Sequence, residues 1–130
     1  MSESFNLEII SPNKTILKTE VVQVTIPSFE GLMTILKNHI SLVTFLRPGF
    51  VEVQTREGNE KLFIEEGTVE FNNNNLLILS SSAKNIKDLS KNEVKQMIED
   101  SEEKFRNEKI RDKEKYILSH KLDVLKEIRK

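Results

Sequence analysis

Few residues in this 130-residue chain have the means for acid–base chemistry: two histidines, His39 and His120, and the acidic group Glu65, Glu66 and Glu70. A histidine titrates near neutral pH and can relay a proton or ligate a metal, but neither of these stands in a metal-ligand spacing or a Ser/His/Asp order. Paired catalytic carboxylates need burial to drive their pKa values apart. Three glutamates around one short strand are instead expected to be solvated or to face a basic partner. The chain has no cysteine, which leaves no disulfide framework or thiol nucleophile and fits a reducing compartment. It has no Gly-rich loop to cradle a phosphate. No catalytic residue, cofactor site or metal site is therefore expected, and His120 reads as a helix-surface residue.

The elements that carry these residues change character near Ala83. Residues 1–83 hold 6 Lys/Arg and 10 Asp/Glu and all the Gly and Pro, whereas residues 84–130 hold 14 Lys/Arg and 11 Asp/Glu. A segment without helix breakers, in which more than half the side chains are charged, cannot form its own core, yet its apolar residues fall at helical spacing. The formal net charge of −1 gives no reason to expect a nucleic-acid partner. No apolar run is long enough to span a bilayer, and the start Met1-Ser2-Glu3-Ser4 lacks a signal-peptide pattern, so a soluble protein is expected.

Upstream of the break, Phe5, Leu7 and Ile9 alternate with polar residues, as do Val22, Val24 and Ile26, the latter run ending at Pro27. Further short strands are expected over 14–19, 32–36, 42–46, 50–55, 61–65, 67–71 and 76–80. Hairpin loops are expected at 56–59, where Gly58 can take a positive φ, and at the four asparagines 72–75. Evenly spaced short strands indicate an all-β sandwich or flattened barrel.

Downstream, Ser90 and Glu93 have capping-box spacing and predict a helix start. Val94, Met97, Ile98 and Phe105 then form one narrow apolar stripe with Ser101 in its gap. After a turn near Ile110, residues Ile117, Leu118, Leu122, Val124, Leu125 and Ile128 cover an arc of roughly 160° on a second helix. The expected organisation is a β-sandwich domain over 1–86 and an antiparallel α-helical hairpin over 87–130, with helices at about 90–106 and 114–129.

The stretch Glu30-Gly31-Leu32-Met33-Thr34-Ile35-Leu36-Lys37-Asn38-His39-Ile40-Ser41-Leu42, followed by Leu46-Arg47-Pro48-Gly49, resembles the signature of the epsilon subunit of bacterial rotary (F-type) ATP synthases. That signature reads roughly E-G-[DE]-x-G-[IV]-[LY]-x-x-H-x-P-L and then Pro-Gly. Glu66-Gly67-Thr68-Val69-Glu70 and Leu76-Leu77-Ile78-Leu79 with Ala83 are similar to later motifs of the family. The resemblance implies a non-catalytic rotor subunit, peripheral on the cytoplasmic face of the bacterial inner membrane. Its sandwich would bind the gamma subunit and the c-ring, and its C-terminal helices would reach the alpha/beta catalytic head and inhibit hydrolysis. By the same resemblance, Glu30, Gly31, Leu32, Asn38, His39, Ile40, Ser41 and Leu42 are the expected contacts to gamma or the c-ring.

The chain departs from the family pattern at several points. Leu32 replaces an acid, Thr34 a Gly, Ile40-Ser41 an Ala-Pro, and Glu66 the first Gly of a pair. Some family members bind ATP through a motif resembling [IL]-D-x-x-R-A, to which Leu89, Ser90, Glu93 and Val94 correspond. An acid in place of the phosphate-binding Arg repels a phosphate, so no nucleotide site is expected. The residues alone also admit a free-standing adaptor with a dimerising hairpin or a small ligand-binding β domain.

Overall fold

A computed structural model of the protein describes residues 3–107 and 109–129. The strands are β1 (Phe5–Ile10), β2 (Thr15–Val21), β3 (Gln23–Ser28), β4 (Gly31–Leu36), β5 (Leu42–Leu46), β6 (Gly49–Thr55), β7 (Gly58–Ile64), β8 (Gly67–Asn72), β9 (Asn75–Leu79) and β10 (Lys84–Asn85). A 3-10 turn (Ile86–Asp88) leads into α1 (Lys91–Phe105) and α2 (Asp112–Arg129). The order β4-β3-β6-β7-β10 makes one layer and β5-β8-β9-β1-β2 the other. They join where Ser28 of β3 pairs with Leu46 of β5, and where Val22, in the link from β2 to β3, donates its N–H to the Gln54 carbonyl of β6 at 2.7 Å. The result is a nearly closed sandwich followed by a helical hairpin.

Period-two alternation puts one side chain of each pair inside. Phe5, Leu7 and Ile9 of β1, Val24 and Ile26 of β3, Val51 and Val53 of β6, Val69 and Phe71 of β8, and Leu76 and Ile78 of β9 meet in one buried core. At Gly67 the chain leaving the neighbouring strand β9 comes so close that a Cβ would lie 2.7 Å from the Leu79 carbonyl oxygen, which accounts for a residue without a side chain there. Pro27 does not end its strand as the sequence suggests. It lies inside β3 opposite Leu32, and its carbonyl accepts from Arg47 N–H at 2.9 Å. A residue's N–H and C=O point to the same side of a strand, so the donor missing from Pro27 is not one that β4 requires.

Both hairpin loops are tighter than expected. β6 and β7 pair through Thr55 and Gly58, leaving Arg56-Glu57 as the turn, with Gly58 at φ 151°. Asn72 pairs with Asn75, and Asn73 and Asn74 have φ values of 51° and 61°. Positive φ at both central positions defines the turn whose twist matches an antiparallel pair, and asparagine tolerates it better than other side chains with a Cβ.

The helices form a second buried cluster, in which Val94 and Ile98 of α1 and Leu122 and Leu125 of α2 pack on Phe63 from the outer side of β7. The hairpin is thus docked. Ser90 caps α1, its Oγ accepting from Glu93 N–H at 3.1 Å. The apolar stripe of α1 differs from the expected one at its end: Phe105 is exposed, whereas Ser101 is buried. Ser101 continues the 94-98-101 face, and its Oγ has no hydrogen-bond partner. Burying an unpaired hydroxyl costs about 1–3 kcal/mol. Ser101→Ala is accordingly expected to raise the stability of the docked hairpin by about 1 kcal/mol, read as slower amide exchange in α1 and α2. Faster exchange would mean that the hydroxyl is partnered.

Candidate functional site

The segment marked out by the sequence is not one loop. Phe29-Glu30 turns from β3 into β4, with Ser28 Oγ donating to the Gly31 carbonyl at 2.7 Å and accepting from Glu30 N–H at 3.3 Å. Gly31 follows at φ 120°, a conformation that favours glycine. Leu32 is exposed on β4, whose six residues then carry the chain about 20 Å to the opposite end of the sandwich. Asn38, His39, Ile40, Ser41 and Leu42 lie there. The structure therefore separates Glu30, Gly31 and Leu32 from the remaining candidates by the length of a strand.

The far end is held by the asparagine turn. Asn38 has φ 68°. Its N–H donates to Asn74 Oδ1 at 2.7 Å, and Asn74 Nδ2 donates back to Asn38 Oδ1 at 3.1 Å. Ser41 Oγ donates to Asn72 Oδ1 at 3.2 Å. The half-buried His39 ring meets the Phe71 ring edge-on, with Nδ1 2.8 Å from the Ile40 carbonyl oxygen. A carbonyl only accepts, so Nδ1 carries the proton. These contacts fix a backbone that would otherwise be a mobile tip, and they aim Ile40 into solvent.

Beyond Ile40 the surface is apolar. Leu32, Ile40, Val43 and Phe45 are 72%, 78%, 74% and 61% exposed, and with Leu36 they make up five of the nine large apolar residues exposed among those described. Through the ladder β5-β8-β9, Phe45 and Leu79 flank Thr68, and Val43 and Leu77 flank Glu70, on the outer face of the second layer. Apolar side chains concentrated on one segment mark a contact surface. Val43 and Phe45 are not among the sequence candidates. The signal was the composition of β5, Leu42-Val43-Thr44-Phe45-Leu46, which lacks the polar alternation of a strand with one wet face.

The other residues singled out for chemistry act within the chain. Glu65 pairs with Lys121 of α2. Glu66 Oε1 accepts from Ser81 Oγ at 2.7 Å and Ser81 N–H at 3.1 Å, closing the link after β9. Glu70 is exposed on β8. His120 is not a free surface residue: Arg47 Nη1 lies 2.6 Å from its Nδ1, and its ring meets Tyr116 edge-on at 4.5 Å between centroids. Among the described residues, no group of three or more His, Cys, Asp or Glu side chains is placed to hold a metal ion, and no helix is long and apolar enough to cross a membrane.

Residues 4–86 match the family model for the ATP synthase Delta/Epsilon chain β-sandwich domain. Over 127 residues the chain is 45% identical to the ATP synthase epsilon chain of Pelagibacter ubique, covering 97% of this chain and 98% of the relative. The chain belongs to the ATP synthase epsilon family. It is also 34% identical over 100 residues to the epsilon chain of Sinorhizobium medicae, covering 76% of this chain and 75% of that one. Its fold is shared with a chain of the Euglena gracilis mitochondrial ATP synthase, resolved as OSCP/F1/c-ring, at TM-score 0.74 and 21% identity, covering 95% of this chain and 78% of that chain. A chain of the Tetrahymena thermophila mitochondrial ATP synthase central stalk and c-ring shares it at TM-score 0.63 and 11% identity, covering 99% and 98%.

This epsilon chain accommodates its departures from the family pattern without strain. Thr34 and Glu66 replace glycines, and neither has a positive φ. Thr34 Oγ1 instead pairs with Thr25 Oγ1 across the ladder at 3.0 Å. At the family's nucleotide motif, Ser90 is used as the helix cap and Val94 is buried against Phe63. Glu93 presents an exposed carboxylate where a phosphate would need a cation. Calorimetric titration of the isolated epsilon chain is therefore expected to show no saturable ATP binding tighter than about 1 mM, or about −4 kcal/mol. A saturable curve below that concentration would overturn this reading of Glu93.

Proposed function

We propose that this epsilon chain is a non-catalytic part of the central stalk of a proton-translocating ATP synthase. It turns with gamma and the c-ring and couples the membrane sector to the alpha/beta head. Its near full-length match to an ATP synthase epsilon chain carries this reading. The exposed apolar segment over 32–45 supports it, because a rotor part must present a surface that its neighbours cover. In this reading the sandwich over 1–86 contacts gamma and the c-ring, through Asn38, His39, Ile40, Ser41 and Leu42 with Val43 and Phe45. Glu30, Gly31 and Leu32 serve a second contact at the other end of β4. The helices over 87–130 are regulatory: docked, they leave rotation free, and extended, they reach the head and oppose hydrolysis. In the same reading the chain is a peripheral subunit on the cytoplasmic face of the bacterial inner membrane. A rigid β-sandwich suits the mechanical task, since torque passes through ladder hydrogen bonds and a close-packed core. The test is reconstitution. Membrane vesicles depleted of their epsilon subunit should regain proton-driven ATP synthesis when this chain is added, and no recovery would contradict the proposal.

A further inference from the structure

The docked hairpin is tied to the sandwich by one polar contact that depends on a proton. Arg47, in the turn between β5 and β6, donates from Nε to the Ser28 carbonyl at 3.0 Å, which fixes its guanidinium toward α2. Its Nη1 then lies 2.6 Å from His120 Nδ1. Arginine has no acceptor and stays charged at any physiological pH. The bond therefore requires a neutral His120 with its proton on Nε2. Around it, Tyr116 packs on the His120 ring and stacks on Phe29 at 6.3 Å between centroids, so that Phe29, Tyr116, His120 and Arg47 form one continuous seam.

A second proton on His120 would occupy Nδ1 and remove the acceptor. It would also place two cations in contact in a half-buried seam, where their repulsion is screened less than in water. We propose that Arg47 and His120 form a proton-operated latch that holds the hairpin down while His120 is neutral and releases it when His120 is charged. The charged neighbours do not cancel the effect. Asp123, one turn along α2, opposes it in part. Lys121 is engaged by Glu65, Glu30 is exposed in the turn after Phe29, and the residues that α1 buries, Val94, Ile98 and Ser101, carry no titratable group.

Burial first, and then Arg47, lower the His120 pKa from its ordinary 6.5, against a smaller upward pull from Asp123. The docked form thus binds fewer protons than the released form. Docking is fully supported above about pH 6.5 and is lost as pH falls from there through the lowered value. Each unit of lowering corresponds to a tenfold fall in the docking equilibrium. The latch is a property of the chain alone. Only its consequence, an acid-triggered release of helices that oppose hydrolysis, rests on the proposed function, and an experiment on the isolated chain separates the two.

Because the chain has no cysteine, Lys18→Cys and Lys126→Cys can carry spin labels on the sandwich and on α2. At about pH 8 one narrow distance distribution is expected, and at about pH 5.5 a second, separate population. His120→Asn retains an acceptor for Arg47 without a titrating ring, and should keep the single pH 8 distance at both pH values. An unchanged wild-type distance, or a His120→Asn variant that opens like wild type, would overturn the latch. If His120→Asn fails to dock at all, the wild-type imidazole titration followed by NMR decides. A midpoint below 6.5 shared with the α2 amides supports the latch, and a midpoint at or above 6.5 removes it.

Discussion

Replacing Ile40 and Val43 together with glutamate is expected to abolish coupling while leaving the isolated protein as stable as before. Both side chains are about three-quarters exposed, so in the free chain they contribute little; surface substitutions of this kind change stability by about 0.5 kcal/mol or less. In an assembly that buries them, each unpaired carboxylate costs at least about 2 kcal/mol. Together that weakens the contact by on the order of a thousandfold. Proton-driven ATP synthesis in vesicles carrying the double variant should fall to the level of vesicles without epsilon, with an unchanged melting temperature for the purified chain. Normal synthesis would mean that no partner covers this face. Substituting Asn38 would be a poorer probe. Its φ of 68° and its exchange of hydrogen bonds with Asn74 make it part of the fold as well as of the surface.

Ending the chain after Ile86 is expected to leave a folded β domain that still enters the complex, with ATP hydrolysis the same or faster. The core of the sandwich contains no residue from α1 or α2. The helices pack instead on Phe63, on the outer side of β7, beneath Val94, Ile98, Leu122 and Leu125. Each of these gains about 1.5–3 kcal/mol on full burial, offset by the entropy of ordering the helices, so the docked hairpin is only marginally stable. Removing it uncovers an aromatic patch on β7 and lowers the midpoint of thermal unfolding without eliminating a two-state transition. A truncated domain that is unfolded, or that cannot assemble, would refute this division of labour.

How much of this was legible follows from the range of the interactions. Alternation and short apolar runs are local, and β1, β4, β5, β8 and β9 lie where those patterns and the turn residues put them. The asparagine run was readable as a turn because positive φ is a property of single residues. Its second role, clamping Asn38 from 36 positions away, was not. Pro27 misled because the rule against proline concerns the side of the strand that donates, and only the register shows which side that is. The candidate segment looked like one site because thirteen residues of motif run together in the chain, yet nearly half of it is β4, which carries its two ends apart. His120 and Arg47 are separated by 73 positions. No periodicity in either segment points to the other, and only docking of α2 on the sandwich brings them together.

The central claim, that this chain is a rotor subunit, is tested most directly by recovering it with its neighbours. An affinity tag on the exposed end of α2 should leave the 32–45 surface free. Mild detergent extraction of native membranes, followed by capture on the tag and mass spectrometry, is predicted to yield alpha, beta, gamma and c subunits of ATP synthase in stoichiometric amounts. Capture of the chain alone, or only with further copies of itself, from membranes that contain the intact synthase would contradict the account.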